Sequence, residues 1–257
     1  MRRTCMNTFP QLHPAMNAVI IGASGAIGQA FTQRLLANPQ INRLFCFSRS
    51  SCGQLIQQQS SGSKQTSGEI DLESEASINR MGLQLKGVPL DLVIIASGLL
   101  HDGDLQPEKS LRNLKAIQMQ RLLQVNTIAP ALIAQQLLPN MRKGQASIFA
   151  VLSARVGSIS DNHAGGWYSY RVSKAALNML LKTLSIETQR RLPKAIVTGL
   201  HPGTVDSALS HPFQRNVPRG TLFTPEQSAD YLLGIIGSLT PEQSGRVFAW
   251  DGTEVPP

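Results

Sequence analysis

Within the segment GGWYSYRVSK, residues 165–174, stand two tyrosines and one lysine. A free phenol ionises at about pH 10 and is too weak an acid for turnover near neutrality. A neighbouring ammonium stabilises the phenolate and lowers that value. Successive residues of a helix are turned by about 100°. Tyr170 and Lys174, four apart, therefore share a face, whereas Tyr168 lies roughly 120° from Lys174. The spacing selects Tyr170 as an acid–base group and Lys174 as the cation that tunes it.

Two other segments supply possible companions. Ser153 closes the apolar run ASIFAVLS, and ligands of open α/β sheets bind where such strands end. A hydroxyl placed there can hydrogen-bond a substrate carbonyl. Upstream, QVNTIAPAL sets Pro130 four residues after Asn126. Proline has no N–H, so the Asn126 carbonyl loses its helical donor and needs another partner, such as water. A helix-start asparagine followed by a kink accounts for the same residues, and spacing alone leaves both readings open.

Anion chemistry is written elsewhere. In IIGASGAIGQA, Gly22, Gly25 and Gly28 follow an apolar strand and open a helix. Glycines allow a sharp turn and close approach, and the helix-start N–H groups then face a negative ligand. A dinucleotide pyrophosphate is the usual occupant. The next strand ends CFSRSS, offering Ser48 and Arg49 but no carboxylate for a ribose 2′-hydroxyl. Arginine suits a 2′-phosphate, so NADP(H) is favoured over NAD(H). A solvated surface arginine is the plainer account of Arg49.

These groups need a scaffold that brings strand ends together. Strands are expected at 18–23, 43–48, 90–97, 146–153, 194–202 and 246–252, dense in Val, Ile, Leu and Phe. Their near-continuous apolar character suits strands covered on both faces. Helices are expected at about 108–122, 126–142, 168–191 and 225–238. The alternation predicts an α/β, doubly wound (Rossmann-like) parallel sheet in three layers, as a single domain over 16–257. Residues 1–15 read as a loose extension, and the Ser/Gln/Gly-rich 52–68 as a solvent loop. TPEQS occurs at Thr224 and Thr240. Each is a helix-start signature, the first opening a helix and the second a single turn.

At 257 residues and 42 % hydrophobic, the chain can bury a large core. No apolar run is long enough for a transmembrane helix. Three cysteines without a CxxC pair argue for a reducing compartment, and the expected location is the cytoplasm. Five histidines lack zinc-ligand spacing, so no metal site is expected. The net charge of +8 is scattered rather than clustered, which disfavours nucleic acid.

Taken together, these motifs resemble the short-chain dehydrogenase/reductase family over nearly all of 16–257. The segments LLHDGDLQPEKSL, SARVGSISDNHAGGWYSYRVSKAALNMLLKT, HPGTVDSALSHPF and GRVFAWDG are similar to its group of sniffer-like carbonyl reductases, which includes the C-factor signalling protein. The resemblance implies an NADPH-dependent carbonyl reductase acting on a ketone or aldehyde. Tyr170 would be the acid, and Lys174 would also bind the nicotinamide ribose. Ser153 would position the substrate oxygen, and Asn126 would hold a relay water through its carbonyl. Ser24, Gly25, Ala26 and Ile27 would complete the pyrophosphate turn. Asp71 would contact the adenine amino group, with Leu72 beside it. Ala96, Ser97 and Gly98 would flank the cofactor, and Pro202, Gly203 and Val205 would line the carboxamide. A homodimer or homotetramer is implied.

Two residues depart from the family pattern. Ala26 replaces its middle glycine, which would tighten the pyrophosphate approach. Ala96 stands where the family has the asparagine that braces the sheet, so that role lapses or passes to Ser97. The pocket walls are expected at 99–102, 154–167 and 205–223. Two rival classes remain: a dinucleotide-binding signalling protein without turnover, and a sugar-nucleotide epimerase, for which the chain after Gly203 is short.

Overall fold

The computed structural model describes residues 8–49, 64–218 and 220–257. Strand β1 (Met16–Ile21) is buried along its whole length. Its side chains alternate between two cores: Ala18 and Ile20 enter one, Val19 and Ile21 the other. An uncharged run of Ala, Val and Ile is what a strand covered on both faces requires. In chain order there follow α1 (Ala26–Leu36), β2 (Ile41–Ser48), β3 (Gln65–Glu69), α2 (Glu75–Gln84) and β4 (Leu92–Ile95). Next come α3 (Ala116–Leu123), α4 (Ala129–Leu137), β5 (Ser147–Leu152), α5 (Tyr168–Arg191) and β6 (Ala195–His201). A short pair, β7 (Thr204–Val205) and β8 (Leu222–Phe223), then α6 (Pro225–Ser238) and β9 (Val247–Ala249) complete the order.

Seven strands form one sheet in the order β3-β2-β1-β4-β5-β6-β9, every pair parallel. Phe31 and Leu35 of α1 and Leu232 and Ile236 of α6 fill the core on one face. Ile78 and Met81 of α2, Ile133 and Leu137 of α4, and Leu177 and Leu181 of α5 fill the other. This is the expected three-layer, doubly wound fold. Strand order reverses between β1 and β4, which opens a crevice at their carboxyl ends.

Three expectations about elements need correction. Residues 65–68, assigned to a solvent loop, belong to β3, whose register runs from Leu44↔Gln65 to Ser48↔Glu69. Backbone pairing to an edge, rather than an apolar side-chain run, makes this strand. Residues 52–63 of that segment lie outside the described residues. No element was expected at α2, which Ser74 caps through Ser77 N–H and which buries only Ile78 and Met81 as large side chains. The expected helices at 108–122 and 126–142 are one run instead: α3, a π turn at Gln124–Ile128, α4, and a 3-10 turn at Leu138–Asn140. The π turn lies just before Pro130, where the missing N–H breaks the α pattern.

The extension is also less loose than expected. Phe9 and Leu12 are buried in the same core as α6. Phe9 N–H donates to Gln40 Oε1 at 2.9 Å, and Gln11 Nε2 donates to the Ile236 carbonyl at 2.8 Å. Gly237 permits the approach, since a Cβ there would lie 2.7 Å from the Thr8 carbonyl oxygen. Residues 1–7 lie outside the described residues. Both TPEQS signatures behave as read: Thr224 forms a capping box on α6, and Thr240 one on a single 3-10 turn.

At the opposite end of β4 from the crevice, Asp91 is fully buried. It accepts the Asn17 N–H at 2.9 Å and two bonds from Arg142, through Nε and, at 3.0 Å, through Nη2. Removing the guanidinium strands a buried carboxylate. Arg142→Ala is expected to cost about 3 kcal/mol of stability, seen as a lower midpoint in thermal or urea unfolding, with dinucleotide affinity unchanged.

Candidate active site

The crevice is a cleft of about 480 Å³ at the carboxyl ends of β1, β2, β4 and β5. One end holds the glycine-rich turn and Arg49, the other Tyr170 and Lys174.

At the first end the chain turns sharply after β1. Gly22 has φ +87°, and a Cβ there would stand 2.8 Å from the Ser97 nitrogen. A Cβ on Gly28 would sit 2.1 Å from the Gly22 carbonyl oxygen, so Gly28 builds the turn from beneath. Helix α1 starts after Gly25 with no side-chain cap and no acidic residue in its first turn. Its first N–H groups are thus free of a competing carboxylate. Ser24, Gly25, Ala26 and Ile27 line the cleft beside them, together with Ala96, Ser97 and Gly98. Ser97 Oγ is buried without a hydrogen-bond partner, so it does not take over the sheet-bracing role. Arg49 is exposed and lines the cleft, as do Asp71 and Leu72. Asp71 Oδ1 accepts the Glu73 N–H at 3.0 Å. Helix-start N–H groups without a side-chain cap, an orphaned hydroxyl and a cation lining one cleft fit a phosphorylated dinucleotide.

At the second end Tyr170 is 8 % exposed and lies in the cleft wall, whereas Tyr168 is 37 % exposed. Lys174 is buried with it. Its Nζ donates to the Leu152 carbonyl at 2.9 Å and stands 5.9 Å from the Tyr170 ring centroid. A Cβ on Gly98 would approach Lys174 Nζ to 3.6 Å and Asn126 Oδ1 to 3.5 Å. The loop after β4 therefore meets both side chains. Asn126 is buried. Its Oδ1 accepts the Leu99 N–H, and its Nδ2 donates to the Leu99 carbonyl and to Ser173 Oγ. It ties the π turn to the loop after β4 and to α5. Ser153 lines the cleft, but its hydroxyl donates to Asn178 Oδ1 at 2.6 Å. To donate to a substrate oxygen it would have to turn away from that partner.

The electrostatics differ from expectation. The phenol stands above its ordinary value, not below it. Burial pushes Tyr170 up to about 12, and burial pushes Lys174 down to about 8. Taking each group out of water penalises its charged form.

Most of the expected residues meet in the cleft. Gly28, Asn126, Gly203 and Val205 do not line it. Gly28 and Asn126 support it from behind. Gly203, at φ +74°, leaves room for Phe223 and Trp250, and Val205 is buried in the β7–β8 pair. Of HPGTV only Pro202 reaches the cleft, with Ser207, Ala208 and Leu209 continuing that wall. Sequence reasoning missed Asn178, Ser173 and an ionic bridge in which Arg121 joins Glu73 at 3.0 Å and Asp102 at 2.7 Å. Residues 48 and 19 positions apart carry no local signal of such pairing. Among the described residues no group of three or more His, Cys, Asp or Glu gathers as a metal site, and no helix is long and apolar enough to cross a membrane.

Comparison with known proteins agrees with this arrangement. Residues 16–218 match the family described as short chain dehydrogenase. A 1-hydroxy-2-glutathionyl-2-methyl-3-butene dehydrogenase of Rhodococcus is 33% identical over 186 residues, 72% of this chain and 76% of the relative. The C-signal protein of Myxococcus xanthus is 36% identical over 148 residues, 57% of this chain and 83% of the relative. The crystal structure of an NADPH-bound carbonyl reductase from chicken fatty liver superposes with TM-score 0.80 at 25% identity, covering 95% of this chain and all of that one.

Proposed function

This chain belongs to the short-chain dehydrogenase family and is an NAD(P)-dependent oxidoreductase, and from that premise we propose that it is an NADPH-dependent carbonyl reductase with Tyr170 as proton donor. The observation that carries the reading is a single cleft with phosphate-binding features at one end and the Tyr170–Lys174 pair at the other. The reduced nicotinamide would supply the hydride. The chain supplies the rest. Tyr170, held near 12 by burial, stays protonated across the physiological range. It could pass that proton to the oxygen of a carbonyl whose carbon takes up the hydride, because the alkoxide that develops is far more basic than a phenolate. Lys174 would steady the charge that develops on that oxygen and on the phenol. Ser153, turned from Asn178, would hold the oxygen in place. Asn126 fixes the loop that carries Gly98 against α5. Ser24 to Ile27, Ser97 and Gly98 would bind the dinucleotide, with Asp71 and Leu72 at the adenine.

The test is loss of the near-ultraviolet absorbance of NADPH on adding aldehydes, quinones or diketones. Steady consumption with at least one class supports the reading. Binding without consumption across the panel would favour the second reading, dinucleotide binding without turnover, which the similarity to C-signal motivates.

Arg49 is read as the 2′-phosphate contact. A charge-assisted hydrogen bond is worth enough that Arg49→Ala should weaken NADPH about 10–100-fold and leave NADH nearly unchanged. Equal effects on both cofactors, measured by fluorescence titration, would remove this role. The exposed Val172, Met179 and Ile186 recur every seven residues along α5 and support pairing of two copies there.

A further inference from the structure

The start of α5 is built against its own sequence. Gly165, Gly166 and Trp167 have φ of +61°, +65° and +52°. Trp167 is the sole non-glycine with positive φ among the described residues. A left-handed turn is natural for glycine but opposed by a bulky side chain. Trp167 is also the N-cap, and it makes no side-chain cap bond. The helix that carries Tyr170 three residues later therefore has neither a relaxed turn nor a local cap.

Both are supplied from a distant segment. Glu108, between β4 and α3, is 2 % exposed. Its backbone carbonyl accepts the Trp167 N–H at 2.6 Å. Its Oε2 accepts the Ser169 N–H at 3.2 Å, and its Oε1 accepts the Ser169 hydroxyl. Arg171 holds the turn from the other side, donating Nε to the Gly165 and Gly166 carbonyls at 3.2 and 3.0 Å. Trp167 in turn sets its ring edge against Tyr170, with centroids 6.1 Å apart.

We propose that Glu108 is a positioning residue for Tyr170: its carboxylate caps α5 from outside the helix through Ser169, beside its backbone carbonyl's bond to the left-handed Trp167, and so fixes where the phenol stands in the cleft. This rests on Tyr170 being the proton donor. Glu108 sits behind the helix start and touches no expected cofactor residue except through Ser169 and Trp167. Its effect should fall on the chemical step, where a small displacement of a reacting group is costly, rather than on cofactor binding.

Reach and charge can be separated. Glu108→Asp keeps the charge but withdraws it by one methylene, and it should lower kcat about tenfold or more. Glu108→Gln loses the charge but keeps the reach. Its amide oxygen can accept the Ser169 N–H while its NH2 donates to Ser169 Oγ, so kcat should stay within about threefold of the parent. NADPH affinity, titrated by fluorescence, should move by less than about twofold in either variant. The assay uses whichever aldehyde, quinone or diketone the parent reduces fastest, well below the unfolding midpoint of each protein. An Asp variant faster than the Gln variant, or a joint fall of kcat and NADPH affinity in step with lost stability, would overturn the proposal. Tyr170→Phe measured alongside separates the two levels. Should it retain turnover, both readings fall. Should it be inactive while the Asp and Gln order is reversed, only the role of Glu108 falls.

Discussion

Tyr170→Phe is expected to slow carbonyl reduction about 10²–10⁴-fold while NADPH still binds. The change removes one oxygen and keeps the ring. Tyr170 packs with Leu100, Leu105 and Leu122 and meets the edge of Trp167, and phenylalanine preserves those contacts. Only the proton that burial keeps on the phenol is lost. The helix-start N–H groups, Ser97 and Arg49 are untouched, so NADPH affinity should stay within a few-fold of the parent. Tyr168→Phe is the control. Tyr168 is at the helix surface, outside the cleft, and its loss should change kcat by less than about twofold. Stopped-flow consumption of NADPH and a fluorescence titration on the same preparations separate the chemical step from binding.

Lys174→Met should be the second large loss, about 10²–10³-fold in kcat/KM, the usual cost of removing one preorganised electrostatic partner. Methionine retains the buried stem but leaves the Leu152 carbonyl without its donor. The pH profile identifies the cause. Burial lowers Lys174 to about 8, so its ammonium is present below that value and disappears as pH rises through it. Tyr170, near 12, does not titrate in the same window. The parent's kcat/KM for reduction should therefore fall as pH passes about 8, and the Met variant should lack that limb. Folding stability should move the other way between about 8 and the ordinary lysine value. There the unfolded chain binds a proton that the folded chain does not, so rising pH favours the fold. A basic limb that persists in Lys174→Met would assign the titration to another group.

The contrast between what was readable and what was not follows the range of the physics. β1, β4, β5 and β6 were visible because strands buried on both faces must be apolar throughout. α6 begins at its expected residue because its Thr224–Pro225–Gln227 signature is local. Tyr170 and Lys174 could be paired because one helical turn relates them. β3 escaped notice because its stability comes from the β2 edge and not from its own Gln, Thr and Ser side chains. The cap on α5 escaped because Glu108 lies 61 residues from Ser169. Ser153 and Asn126 were found by position, yet their actual bonds, to Asn178 and to Leu99 and Ser173, depend on how α5 packs across the sheet. The direction of the Tyr170 shift was misread for a related reason. Spacing reports which charges are neighbours, whereas desolvation depends on everything that excludes water from them.

The most direct test is a crystal structure of the NADPH complex. The nicotinamide should lie beside the Tyr170 hydroxyl and Lys174, with the pyrophosphate over Gly25 to Ile27 and the 2′-phosphate against Arg49. A dinucleotide bound outside this cleft, or one whose nicotinamide lies beyond the reach of Tyr170, would contradict the proposed function.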